Sequence, residues 1–351
     1  MKLSPRYLAC LILILCANAL AVNEKTTCEP EPSAMVDGGQ SIGSYSHLLV
    51  SVGVHNISAD GPEEIYFKRL SRAVKGWTNL ACVDEDGLPR LNQLNSGITR
   101  AFKDNPEKAL KIVEAVNRSS VDKTLAVLIE ANYWIVQAWQ ARGGGFISSV
   151  TPDGLKLFRE RLEKAEDVLE SNKKEASTNP SWYSLMVEIQ SISGGPVQKR
   201  NATFLEGAKR YPEFYGLFRE LRWYLTPRWG GSWKTIDEFI EWSTDFNKKK
   251  FGLTTYTRLY DGLRLSMPSG EDIFKVTPVK WPKMRDGYEE LAKQFPKSRY
   301  QINAFASAAC QADDRATFMK IRKMVGDEHI ERAWPSDSPI ELCDAKFGYA
   351  K

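Results

Sequence analysis

Past residue 105 the apolar side chains of this sequence recur at intervals near 3.6, which marks a succession of amphipathic helices. Ala109, Ile112, Val113 and Val116 follow Pro106, a residue suited to a first helical turn. Leu125, Leu128, Ile129, Asn132, Ile135, Val136 and Trp139 line the next helix, which Arg142-Gly143-Gly144-Gly145 stops. Thr151-Pro152-Asp153 opens another, with threonine as its cap and proline in its first position. Leu155, Phe158, Leu162, Ala165 and Leu169 form its stripe, and Glu160 and Lys164 stand four apart on the polar face. Trp182, Leu185 and Ile189 continue the pattern to Ser193-Gly194-Gly195-Pro196, and Phe204, Leu205 and Ala208 form a short helix that Tyr211-Pro212 interrupts.

Further stripes follow: Phe214 to Leu225, Ile236 to Phe246, Leu253 to Leu263, Tyr288 to Phe295 and Ile302 to Ala309. Asp313 to Val325 holds no glycine or proline and reads as a last helix, with Ala316, Met319, Lys320 and Lys323 as a weak stripe. Ten or so helices result, several as antiparallel pairs, and each must hide its stripe against a neighbour. The order Phe295-Pro296, then Asn303, Ala306 and Cys310, then Asp313-Asp314, resembles two adjoining helices of a tetratricopeptide-type repeat, and Tyr211-Pro212 reads as a diverged copy. The expected fold is all-α, an irregular tetratricopeptide-like helical repeat of α-solenoid type, with a single irregular bundle as the alternative.

Before residue 105 the pattern differs. Val22 to about Leu91 is rich in Gly, Ser, Pro and Asn; Ser46 to Val54 reads as a short strand, and Pro62 to Ala73 hints at a helix. At the start, Lys2 and Arg6 precede the apolar run Leu8 to Ala17 and the small-residue exit Asn18-Ala19-Leu20-Ala21, the order of a secretory signal peptide cleaved after Ala21. The run falls short of the ~20 apolar residues of a membrane span. A retained anchor and a lipid-modified Cys16 are weaker readings, the latter because Leu15 precedes the cysteine. The expected organisation is therefore a signal peptide over 1–21, a loop-rich extension over 22–104 and a helical-repeat domain over 105–351, in the periplasm or secreted, with no transmembrane span after cleavage.

Loss of Lys2 and Arg6 brings 48 basic residues to 46 against 44 acidic ones, a charge of about +2 with histidines neutral. Such a balance gives no electrostatic footprint for nucleic acid. Cys28, Cys82, Cys310 and Cys343 remain after cleavage and reach an oxidising compartment. Three pairings are open; Cys310 with Cys343 and Cys28 with Cys82 is the expected one, because each pair belongs to one end of the chain. The spacing of these cysteines and the scatter of His47, His55 and His329 argue against zinc, and no cofactor motif is present.

Two loops carry the candidate chemistry. Arg142-Gly143-Gly144-Gly145-Phe146 lacks the Lys-Ser/Thr ending of a phosphate loop, so its glycines are expected to serve an unusual backbone angle or a close helix approach. In Pro227-Arg228-Trp229-Gly230-Gly231-Ser232-Trp233 a guanidinium beside indole faces suits a carboxylate or a peptide terminus, while the structural reading has Arg228 on helix-end carbonyls, Trp229 plugging a helix junction and Ser232 capping the next helix. Arg142, Phe146, Arg228, Trp229 and Trp233 are the candidate ligand- or partner-binding residues. Trp134, Trp182 and Trp242 would line a groove or fill the core. Glu130 and Glu188 each interrupt an apolar helix and would suit acid and base work if they faced one cleft.

Ala141 to Phe146, Val150 to Gly154, Leu157 to Leu162, Tyr211-Pro212, Pro227 to Ser232 and Asn303 to Ala306 together resemble a bacterial family of exported proteins, domain of unknown function 4034, over roughly Ala109 to Cys343. The resemblance implies an exported helical protein, often of tetratricopeptide-like architecture, and brings no catalytic residues. Three functions are in view: a periplasmic module binding an envelope protein or peptide, which is the first expectation; a periplasmic hydrolase of cell-wall sugar or peptide, marked by two acids in one pocket; and a structural envelope component.

Overall fold

The structure is a computed structural model that describes residues 63–349 apart from Asn79, Asn105, Ser120, Phe146 and Ser269. The expected signal peptide, the 46–54 strand, Cys28 and Phe146 lie outside the described residues.

The described chain forms sixteen α-helices. In order they are α1 Glu63–Trp77, α2 Leu94–Asp104, α3 Ala109–Arg118, α4 Lys123–Arg142, α5 Pro152–Ser171, α6 Lys173–Ala176, α7 Ser181–Ile192, α8 Val197–Arg210, α9 Tyr215–Tyr224, α10 Trp233–Phe251, α11 Thr254–Arg264, α12 Ile273–Val276, α13 Trp281–Gln294, α14 Arg299–Gln311, α15 Arg315–Val325 and α16 Ile340–Phe347. Among the described residues there is no strand, only an isolated bridge between Val83 and Pro89. Helices pack on their neighbours and next neighbours along the chain: α4 on α5, α7 on α8 and α9, α10 on α11, α11 on α13, α14 on α15. This is the helix-packed, all-α repeat arrangement that the one-sided stripes imply.

Local chemistry sets the joints. Thr151 accepts the Gly154 N–H at the start of α5, Ser232 accepts the Thr235 N–H at the start of α10, and Asp314 accepts the Thr317 N–H at the start of α15. Tyr211-Pro212 and Phe295-Pro296 separate α8 from α9 and α13 from α14. Central helices are buried well beyond a stripe. Every residue from Gln301 to Cys310 of α14 is buried, and Ala304, Ala306, Ala308 and Ala309 let neighbours approach it from several sides. Tyr288 of α13 stacks on Phe305 at 4.9 Å and 9°.

The segment before 105 is less loop-like than its composition suggests. Leu94, Ile98, Ala101 and Phe102 form a buried face on α2, and α2 packs on α4, so this segment shares the main core. In α15 the expected stripe is displaced: Phe318, Ile321, Arg322 and Val325 are the buried residues. Arg322 is buried because it pairs with both carboxylate oxygens of Asp344 at 2.8 Å, tying α15 to α16. Cys310 and Cys343 form a disulfide with Cα atoms 5.8 Å apart, the expected pair at this end of the chain. Cys82 is buried and disulfide-bonded. No helix of the described residues is long and apolar enough to cross a membrane.

Candidate functional site

The two loops singled out above meet at one side chain, Trp139 near the end of α4. The Arg142 guanidinium lies over the Trp139 ring at 5.4 Å and donates to the carbonyls of Gly143 and Gly145, both at 3.1 Å, so this arginine closes the end of its own helix. Gly143 ends α4 with φ of 75°, a backbone angle that glycine adopts without strain. From the other side Trp229 packs edge-on against Trp139 at 6.0 Å and against Tyr224 at 5.1 Å. Trp229 is half-buried and its indole N–H has no partner. Its loop needs both glycines: Gly230 is left-handed at φ 82°, and a Cβ on Gly231 would stand 1.9 Å from the Leu225 carbonyl oxygen. Arg228 is exposed and Trp233 is half-buried against the core. Arg142, Arg228, Trp229 and Trp233 line neither the cavity of about 680 Å³ nor that of about 430 Å³ described below.

This aromatic junction borders a carboxyl group. The Trp139 indole and the Tyr224 hydroxyl stand beside the carboxyl of Glu188 of α7 as polar neighbours that favour its ionised form. Glu188 is half-buried. Burial raises that carboxyl to about 8, the charge of Glu220 on α9 adds to the effect, and the two neighbours and Lys103 oppose it. Glu220 is itself raised by burial, against the pull of Arg219 and Arg222. The sequence singled out no carboxylate pair: Glu130 accepts the Asn117 side-chain amide at 3.3 Å, and the acid whose charge acts on Glu188 is Glu220. Glu188 and Glu220 open on a cavity of about 430 Å³ between α2, α7 and α9. Such an arrangement keeps one acid protonated beside another at neutral pH, the condition for paired acid and base chemistry.

A second surface is apolar. On α10 the rings of Phe239, Trp242 and Phe246 stack in succession, at 6.3 Å and 23° and then at 5.0 Å and 21°. Trp242 and Phe246 keep 38% and 39% of their surface exposed, so this ladder is not consumed by the core. Phe246 also touches Phe218, which lines a larger cavity of about 680 Å³. That groove has rings from Tyr215, Phe251 and Phe295, with Glu213, Asn247, Lys250, Thr255 and Arg258 among its polar groups.

No family model and no curated protein matches the chain. Of the residues that build these sites, Glu188 and Trp242 stood out in the sequence. Glu220 did not, because a lone acid beside the Phe214 to Leu225 stripe carries no local signal. Only the packing of α9 on α7 brings it to Glu188.

Proposed function

We propose that the protein is an exported helical-repeat module that binds a segment of an envelope protein or peptide. The observation that supports this reading best is the Phe239–Trp242–Phe246 ladder, whose Trp242 and Phe246 rings stay exposed and whose Phe246 packs on Phe218, a residue of the neighbouring groove. Solvent-exposed aromatic rings in contact with one another are costly in an isolated soluble surface and characteristic of docking sites, where rigid rings contribute most of the binding energy. Export rests on the N-terminal charge and apolar pattern and on the disulfide chemistry. Photo-crosslinking from position 246 in exporting cells tests the reading. It expects a discrete adduct that Trp242→Ala removes; an adduct pattern matching one made from the exposed Leu342 on α16 refutes it.

A second reading, an exported hydrolase of cell-wall sugar or peptide, is favoured by one specific observation: two half-buried acids with raised proton affinity on a common cavity. Loss of turnover in Glu188→Gln, with the ladder intact, separates it from the binding reading.

A further inference from the structure

The wall of the cavity of about 430 Å³ carries charges that do not cancel. Six ionisable side chains line it: Arg100, Lys103 and Asp104 of α2, Glu188 of α7, and Arg219 and Glu220 of α9. Arg100 is committed to Asp104, one helical turn further on, at 3.7 Å. Lys103 is exposed and Arg219 half-buried, and neither forms an ion pair with another described residue. Their counter-charges are the two glutamates: Lys103 acts on Glu188 and Arg219 on Glu220. Glu188 keeps its proton up to about 8. Even with Glu220 ionised, three cations then face two carboxylates at neutral pH, and one positive charge is left over.

That surplus selects among occupants. A neutral ligand leaves it unmatched, and a cation adds to it. A dianion exceeds it and is repelled by the carboxylates that remain. A single negative charge balances it, and a carboxylate also accepts hydrogen bonds from the ammonium, the guanidinium and a neutral carboxyl group, the charge-assisted kind being the stronger. The volume falls within the usual range for a small-molecule site.

We propose that this cavity is a binding site for a small singly charged carboxylate, with Lys103 and Arg219 supplying its counter-charge. The assignment concerns binding alone and rests on neither reading of function above. Protonated Glu188 serves as a donor to the ligand, and once ionised it sets a like charge beside it. Affinity is therefore level below the point at which Glu188 ionises and falls as pH rises through about 8, where binding takes up one proton from solvent and holds it on Glu188. The chief influences on Glu188 are Glu220 and Tyr224 of α9, Trp139 of α4 and Lys103 of α2; α5 and α8, which also pack on α7, supply none of these. Tyr224 is held well above its ordinary value by burial and stays neutral through this range.

Isothermal titration calorimetry on the full mature chain at pH 7 and pH 9 tests the site, with lactate, N-acetylalanine and N-acetyl-dialanine as probes. The neutral amide of N-acetyl-dialanine and inorganic phosphate are the counter-probes. The expected result is saturable binding of at least one carboxylate at pH 7 with Kd of about 1 mM or tighter, about tenfold weaker at pH 9. Lys103→Met should weaken it about tenfold; Lys103 is exposed, so this variant should fold, which an unchanged circular dichroism spectrum and Tm check, and Arg219→Gln is the second variant. Glu188→Gln should keep the binding and lose most of its dependence on pH. Failure of all three carboxylates to bind, equal binding of the amide, tighter binding of phosphate, equal affinity at both pH values, or binding unchanged in both Lys103→Met and Arg219→Gln overturns the proposal. Binding of N-acetyl-dialanine without its hydrolysis supports the site and counts against the hydrolytic reading.

Discussion

Replacing Glu188 by glutamine isolates the energetic consequence of enclosing an acid beside another acid. Glutamine keeps the shape and neutrality of the protonated side chain but cannot ionise. The folded carboxyl is raised from 4.5 to about 8. Below pH 4.5 folded and unfolded chains both carry the proton. Between 4.5 and 8 the folded chain alone keeps it, so stability falls as pH rises, and the loss is complete once the folded group ionises above 8. At ~1.4 kcal/mol per pH unit the loss is capped at about 5 kcal/mol. Because Glu220 titrates with Glu188 as a pair, the share relieved by glutamine is smaller, about 2 to 4 kcal/mol. Urea unfolding of both proteins at intervals from pH 5 to pH 9 measures it. The two should be similar near pH 5, and Glu188→Gln should be the more stable at pH 9 by that amount. Parallel profiles across the range would show that the carboxyl ionises in the folded chain as freely as in water, and the reasoning would fail.

Three further perturbations address the frame. Cys310→Ser opens a loop between residues 33 apart and should cost about 3 to 4 kcal/mol, read as a lowered urea midpoint that reductant reproduces in the wild type. Arg264 is fully enclosed, pairing with Asp261 at 2.7 Å and donating to Ser307 at 2.8 Å and to the Ala333 carbonyl at 3.1 Å. Arg264→Ala strands a buried carboxylate and should cost about 3 to 5 kcal/mol, and a drop below 1 kcal/mol in thermal unfolding would contradict that role. Gly231→Ala places a methyl against the Leu225 carbonyl; a loss of about 2 kcal/mol or more, with altered Trp229 fluorescence, is expected, whereas a neutral outcome would mean that the turn yields freely.

Much of the fold was legible because each helix hides one side and its spacing records that. Thr151, Ser232 and the Pro212 and Pro296 junctions then marked the ends by ordinary capping and backbone chemistry. Two kinds of element escaped. In α2 the buried positions Leu94, Ile98, Ala101 and Phe102 do have helical spacing, but they fall in the 22–104 segment expected to be loop-rich, with Asn95, Ser96 and Gly97 interrupting the apolar pattern. In α15 the stripe contains Arg322, a charge that burial tolerates only because Asp344, on another helix, completes it. The site followed the same rule. An acid in the apolar helix α7 was visible from its neighbours, and so was the unusual Trp229 turn. That the turn packs on Trp139 and Tyr224, and that Glu188 and Glu220 share one cavity, are consequences of helices meeting across long stretches of chain, which no local pattern encodes.

The most direct test of the acid pair is a carboxyl titration. With glutamate labelled by 13C at the side-chain carboxyl, NMR spectra from pH 4 to pH 10 should contain a resonance that titrates near 8 and vanishes in Glu188→Gln. If every glutamate resonance completes its titration by pH 6, Glu188 is an ordinary solvated acid, and the paired-acid account is wrong.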